Sequence, residues 1–357
     1  SRLVQVVLCS NECAIVFQLK YKMDFDDLDD AEDALTPSPM YQPKEYMTPI
    51  IHNFRLPALS DLPEETYTKL PADVERKVCL RVFAFTGEGD QHLFWTRLIL
   101  GAPSWAELAV HEWPSHGTRK EEPPPDSLDA ITDDAFKAIM RVLDQHQPSG
   151  RLAGAPFAFI GHHFGALLVT TLCKRLRDEM ALEPAAVVIL DRAAPHVPLF
   201  SPFGVEKMRN EPKEVLRGLY PDIATNIDKI GGEKGEKMLK MWIDDLKLTI
   251  DTRDVGFYMF PCKLLIVRAR KNELIDVNKD FTPETRLSYE LRSKLTFSSP
   301  DSAMDFDFAM FEEWSKWSSA EISIQDIDSP HIGIKDHKDS VKAMWDFLES
   351  VKAPNPN

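Results

Sequence analysis

Pro156-Phe157-Ala158-Phe159-Ile160-Gly161-His162-His163-Phe164-Gly165-Ala166-Leu167 is the stretch that decides the reading of this 357-residue chain. Its first five residues form an apolar, aromatic-rich run of strand length, and an apolar helical run continues from Gly165 through Met180. Between them Gly161 and Gly165 mark a tight strand-to-helix turn, because a side chain at either position blocks the close approach of the two elements. A Gly-x-Ser-x-Gly sequence in this setting places its serine on a strained turn at the top of a sheet, at the N-terminus of the following helix. Here the middle residue is His163, so the turn is present without the hydroxyl.

Working outward, Val78 to Phe85 reads as a buried strand that enters the glycine loop Thr86-Gly87-Glu88-Gly89. A second short run, Leu108 to Trp113, stops at Pro114. Ser127 is placed to cap a helix in which Leu128, Ile131, Ala135, Ile139, Val142 and Leu143 recur at helical spacing. Ala185–Leu190, Cys262–Val267 and Ile322–Ile327 read as further strands, and Val341, Met344, Trp345 and Leu348 mark a closing helix. Strands alternating with helices predict an α/β protein with a mostly parallel sheet flanked by helices on both faces. The alternation stops between residues 202 and 258. There Met238, Trp242, Leu246 and Ile250 fall four apart on an amphipathic helix, and an all-helical insertion between two strands reads as a lid.

The domain expected from this pattern spans residues 78–350, with a polar, weakly patterned insertion at 276–310 and a short tail at 351–357. Ahead of it, residues 1–77 read as an N-terminal extension, acidic (Asp24, Asp26, Asp27, Asp29, Asp30) and then proline-rich, without a periodic apolar face and hence extended or disordered. With 43% hydrophobic residues the chain has enough apolar material for a sizeable core. A formal net charge of -15, with no basic run interleaved with aromatics, argues against nucleic acid as a partner. No segment reaches the about 18 consecutive apolar residues of a membrane span, and no signal-peptide cleavage pattern follows Leu3–Leu8. Five cysteines without metal-ligand spacing fit a reducing compartment, so the expectation is a soluble intracellular, cytoplasmic protein.

Four stretches, in order, resemble the stand-alone (type II) thioesterases that serve polyketide and peptide synthases, which have the α/β-hydrolase fold. Phe83-Ala84-Phe85 with Gly87 and Gly89 resembles that family's oxyanion loop. Trp113-Pro114-Ser115-His116-Gly117-Thr118-Arg119 resembles its Leu-Pro-Gly-Arg-Gly loop. Gly161-His162-His163-Phe164-Gly165-Ala166 resembles its Gly-His-Ser-Met-Gly-Ala elbow, and Arg192-Ala193-Ala194-Pro195-His196 its Arg-Ala-Pro-His turn. The resemblance implies a Ser, Asp, His triad in that chain order, lid helices over an acyl-chain pocket, an acyl thioester or acyl-carrier protein as partner, and neither cofactor nor metal. Carried over residue by residue, it puts His163 in the serine's place and the general base at His331. Asn272 stands at the acid's position, with Glu273 the nearest carboxylate, and Thr86, Gly87 and Phe164 line the oxyanion or pocket side.

Three readings stay open on the sequence. One is a thioester hydrolase in which His163 or a water replaces the serine, since an imidazole with an ordinary pKa near 6.5 serves as nucleophile or base at neutral pH. Another is a non-catalytic protein that binds an acyl chain, a carrier protein or a scaffold. A third is different chemistry on the same fold with a histidine base. His163 and His331 also suggest a metal, but the sequence shows no third ligand. His162 reads as packing at the elbow, Cys173 as core, and His116 and His196 as turn-stabilising residues.

Overall fold

The computed structural model describes residues 79–353 apart from 91, 104, 145–155, 252–254, 271–290 and 297–307. The predicted extension at 1–77 and most of the polar insertion at 276–310 lie outside the described residues. So do Asn272 and Glu273.

Six strands make one all-parallel sheet in the order β2-β1-β3-β4-β5-β6. They are β1 (Leu80–Phe85), β2 (Ala106–His111), β3 (Phe157–His162), β4 (Ala186–Leu190), β5 (Lys263–Ala269) and β6 (Ile322–Ile327). Every residue of β1, β3 and β4 is buried. That explains why their sequences are mostly apolar rather than alternating, Arg81 in β1 and His162 at the end of β3 being the buried polar exceptions, since a parallel strand is covered on both faces. β6, at one edge, is partly exposed. Phe83, Phe85 and Phe157 pack around Phe159 with ring centroids 5.9, 5.4 and 5.3 Å from it, filling the space beneath the elbow.

The helix predicted after Ser127 is α2 (Leu128–Asp144), which follows a short α1 (Thr96–Leu100), and Ser127 Oγ accepts the Ala130 N–H at 3.2 Å as a helix cap. After β3 comes α3 (Phe164–Met180), whose buried residues include Cys173. The insertion between β4 and β5 begins with four consecutive helices: α4 (Pro202–Asn210), α5 (Pro212–Leu219), α6 (Pro221–Ile230) and α7 (Gly232–Asp251). Pro202, Pro212 and Pro221 each open a helix, where a missing N–H costs nothing, and Pro212 and Pro221 also end the helix before them. The stripe predicted at spacing four lies on α7, with Trp242, Leu246 and Ile250 buried and Met238 packed beside them. Beyond β5 the chain adds α8 (Phe308–Glu312) before β6 and ends in α9 (Lys338–Glu349).

The close approach inferred for the two elbow glycines is there. A Cβ on Gly165 would sit 2.3 Å from the Phe85 carbonyl oxygen, and one on Gly161 would sit 2.7 Å from the Gly165 carbonyl oxygen. Both obstacles are backbone, which cannot rotate away. Gly165→Ala is therefore expected to lower stability by about 1–3 kcal/mol, the usual cost of overpacking, read as a lower urea midpoint with an unchanged slope. An unaltered midpoint contradicts the contact.

Candidate active site

His163 follows β3 with φ 48° and ψ −110°, a conformation that L residues rarely adopt and that costs about 1–3 kcal/mol. Two backbone bonds hold it there: the His163 N–H donates to the Leu190 carbonyl at 3.0 Å, and the Ala166 N–H donates to the His163 carbonyl at 3.0 Å. The side chain is 1% exposed. Its Nδ1 meets Glu88 Oε2, and the other carboxylate oxygen, Oε1, accepts from Thr249 Oγ1 on α7. Burial pushes the Glu88 carboxyl up. The His163 charge, hydrogen bonds from His163 and Thr249, and its own backbone N–H outweigh that and bring it from 4.5 down to about 2. An ionised Glu88 only accepts, so Nδ1 carries a proton and Nε2 is the nitrogen at which the ring gains or loses its second one.

His331, in the turn after β6, is buried, and its ring stands edge to face with that of His163 at a centroid separation of 4.7 Å. Its Nδ1 lies 2.5 Å from Asp191 Oδ2. Asp191 is the first residue after β4 and has φ 49°. Its N–H donates to the Val267 carbonyl at 2.8 Å, and its Oδ1 accepts the Ala269 N–H at 2.9 Å. The carboxylate is thus aimed across the end of β5 at His331. Tyr220 stacks over the His331 ring at 6.4 Å, and Trp242 packs on Tyr220 at 5.2 Å.

A third imidazole belongs to the same cluster. His162 has its ring centroid 5.2 Å from that of His331, and its Nδ1 lies 3.1 Å from Asp90 Oδ2. The other Asp90 oxygen takes the buried Lys335 ammonium at 2.6 Å. Burial pushes the Asp90 carboxyl up, but Lys335 and His162 hold it well below the usual carboxylate range. Burial and the Lys335 charge drive His162 down to about 4, so this ring is neutral at physiological pH.

The two histidines singled out in the sequence therefore come together. The carboxylate at His331 is Asp191, while Asn272 and Glu273 lie outside the described residues. Glu88, Asp90 and Asp191 escaped the sequence reading. Asp191 had one usable signal, its place right after the strand next to the elbow strand, where α/β sheets gather site residues at the carboxyl ends of their strands. Thr86 is buried and its Oγ1 points at the His111 carbonyl, 3.4 Å away. A Cβ on Gly87 would lie 3.2 Å from that of His163, which places this loop against the elbow. Phe164 packs on Trp113 at 5.0 Å in the core. His116 does more than stabilise its turn, because its Nε2 reaches Asp245 on α7 at 2.9 Å. His196 bonds Glu313 and Trp317. Among the described residues no group of three or more His, Cys, Asp or Glu has the geometry to hold a metal ion, and no helix is long and apolar enough to cross a membrane.

The parallel sheet order, the flanking helices and the elbow together define an α/β-hydrolase fold. Residues 86–216 match the Thioesterase domain family. The gramicidin S biosynthesis protein GrsT of Aneurinibacillus migulanus is 28% identical over 130 residues, which are 36% of this chain and 46% of that protein. The match thus spans under half the length of that relative. Among solved structures, the RedJ thioesterase from the prodiginine biosynthetic pathway of Streptomyces coelicolor superposes with a TM-score of 0.55 at 16% identity, covering 77% of this chain and 87% of its own. ClbQ from the colibactin NRPS/PKS pathway gives 0.55 at 13% identity, with 76% and 98% covered. The type II thioesterase BorB from the borrelidin biosynthetic cluster gives 0.50 at 15% identity, with 76% and 93% covered.

The Glu88 carboxylate generates a prediction about pH. Because its folded pKa is depressed, the stability it contributes is present above about pH 4.5 and is lost as the pH falls toward about 2. In Glu88→Gln that part of the acid limb flattens, and at neutral pH the variant is less stable by on the order of 3–5 kcal/mol, since a buried charge partner is gone. Tm measured against pH for both proteins checks this. Parallel curves count against an ionised Glu88 bonded to His163.

Proposed function

We propose that this chain acts on acyl thioesters without an acyl-serine intermediate, using His163 and His331 as a general acid–base pair. The observation that carries the reading is the pair itself: two imidazoles 4.7 Å apart, each tied through Nδ1 to its own buried carboxylate. Such a carboxylate fixes the tautomer and orientation of a catalytic histidine. Two rings so equipped divide the work, one taking a proton while its charged neighbour gives one.

In the hydrolysis that follows, the His331 Nε2 accepts a proton from water as the water oxygen bonds to the thioester carbonyl carbon. The tetrahedral species then collapses, the C–S bond breaks, and protonated His163 delivers its proton to the departing thiolate. A carboxylic acid and a thiol result, and one proton has passed between the rings by way of solvent. The substrate class comes from the relatives, which belong to gramicidin S, prodiginine and colibactin biosynthesis. Carrier-bound polyketide, peptidyl or fatty-acyl thioesters are the corresponding ligands, with the four-helix stretch over the site as their lid.

A second reading is favoured by one observation, the burial of both rings, with Tyr220 stacked on that of His331. On it the chain binds an acyl thioester or its carrier without turnover.

Purified protein is offered acyl-N-acetylcysteamine thioesters of short, medium and long chain. Turnover is expected without an initial burst of thiol and without labelling by serine-directed fluorophosphonates. His331→Ala should reduce it by about 10²–10⁴-fold, the usual share of general acid–base catalysis. No turnover at any chain length, with ligand still bound by the native protein and by His163→Ser, establishes the binding reading instead.

A further inference from the structure

Two loops at the carboxyl ends of the strands aim donors at one oxygen of helix α7. The Gly89 N–H, in the loop after β1, donates to Asp245 Oδ2 at 2.7 Å, and His116 Nε2, in the loop after β2, lies 2.9 Å from the same atom. At the other ring nitrogen, Nδ1, stand the Ser115 hydroxyl at 3.3 Å and the Pro114 carbonyl at 3.1 Å. A neutral ring accepts from the hydroxyl and a charged one donates to the carbonyl, so Nε2 presents a proton to Asp245 in both forms.

The loop after β1 shows its affinity for carboxylates by what it already holds. The Gly87 N–H donates to Asp90 Oδ2 at 3.4 Å, the Glu88 N–H to its own carboxylate, and the Gly89 N–H to Asp245. Gly89, with φ 65°, is the left-handed residue by which successive N–H groups are turned into an anion-binding concavity. Two of the three carboxylates belong to the loop itself. Asp245 alone comes from another element.

Donors and occupant are also held differently. Arg119 braces the loop of His116, donating to the Glu112 carbonyl at 2.8 Å and to Asp134 of α2. Glu88 ties the loop after β1 to His163. Helix α7 begins instead at Gly231 and Gly232, both with positive φ (58° and 56°), and a Cβ on Gly232 would meet nothing within 4 Å, which leaves a joint with room to turn. The Trp242 ring of α7 lies against Gly89, and Tyr220 packs on both Trp242 and His331, so aromatic rings lead from Gly89 to the paired imidazoles.

We propose that Gly89 and His116 form a cradle for a ligand carboxylate, and that Asp245 is its internal stand-in, which keeps α7 seated until a carboxylic acid takes its place. The ligand class rests on the reading above, because the acid released from a thioester is such a carboxylate; the cradle itself does not depend on turnover. Exchange of one carboxylate for another leaves neither buried donor unpaired. It also links the appearance of the acid to the lifting of α7. A ligand that has to displace an occupant binds more weakly by the fraction of molecules in which the cradle is open.

Calorimetric titration of the purified protein with sodium octanoate tests this with no thioester present, so failure here is distinct from failure to hydrolyse. Asp245→Ala removes the stand-in and leaves both donors, and it should bind octanoate at least about tenfold more tightly than the native protein. Adding His116→Phe takes one donor away and should cancel most of that gain. Equal affinity in the native protein and Asp245→Ala overturns the proposal. So does a gain that persists in the double variant, which marks a helix loosened without a cradle beneath it. Should Asp245→Ala fail to fold, the native protein decides: octanoate should raise deuterium uptake in peptides covering residues 232–251 and leave those of β3 unchanged, and constant uptake up to the solubility limit of octanoate overturns the proposal.

Discussion

The bond between His163 and Glu88 couples three pieces of chain that the sequence keeps far apart: the loop after β1, the elbow after β3, and helix α7, which reaches the same carboxylate through Thr249. An imidazole and a carboxylate, both stripped of water, are stable only as partners, since a buried charge left alone costs several kcal/mol. That condition fixes the geometry around it. The strained backbone at His163 is tolerated because Leu190 and Ala166 hold it on either side, and Glu88 reaches it because Gly87 lets the two loops touch.

Around this bond the structure repeats one device three times. Asp191 holds His331, Glu88 holds His163 and Asp90 holds His162, each through Nδ1. The third pair differs from the others by Lys335, whose charge satisfies Asp90 and, together with burial as the larger cause, keeps His162 neutral. The same Lys335 ties the turn that carries His331 to the loop that carries Glu88, and its Nζ also donates to the Ile332 carbonyl at 3.0 Å. Asp90 and Lys335 thereby set the spacing of the two rings that face each other. Buried polar clusters of this size are costly unless every member is satisfied, and clefts that shift several titratable groups at once are where function concentrates.

Much of the fold was legible. The runs at 78–85, 156–160, 185–190 and 262–267 fall on strands because a strand covered on both faces is written as mostly apolar sequence, while 322–327 is an edge strand and alternates apolar with polar residues. Ser127, the elbow glycines and the four-residue spacing of α7 each carry a local rule that the structure obeys. Errors at the ends of elements are small and have a common cause. The run Leu108 to Trp113 continues past His111 because Trp113 is apolar and buried without being a strand residue.

The site divides differently. His163 and His331 were found because one sits inside a spaced motif and the other follows the last strand. Glu88, Asp90, Asp191 and Asp245 were missed because nothing in a carboxylate's neighbours in sequence says which ring it will meet. Their partners lie 75, 72, 140 and 129 residues away. Spacing and periodicity follow from bonds along one chain, so the sequence by itself determined strands, helices, the elbow and the residue at its centre. Which buried charges neutralise one another depends on where separate strands end side by side, and only the tertiary structure decided that.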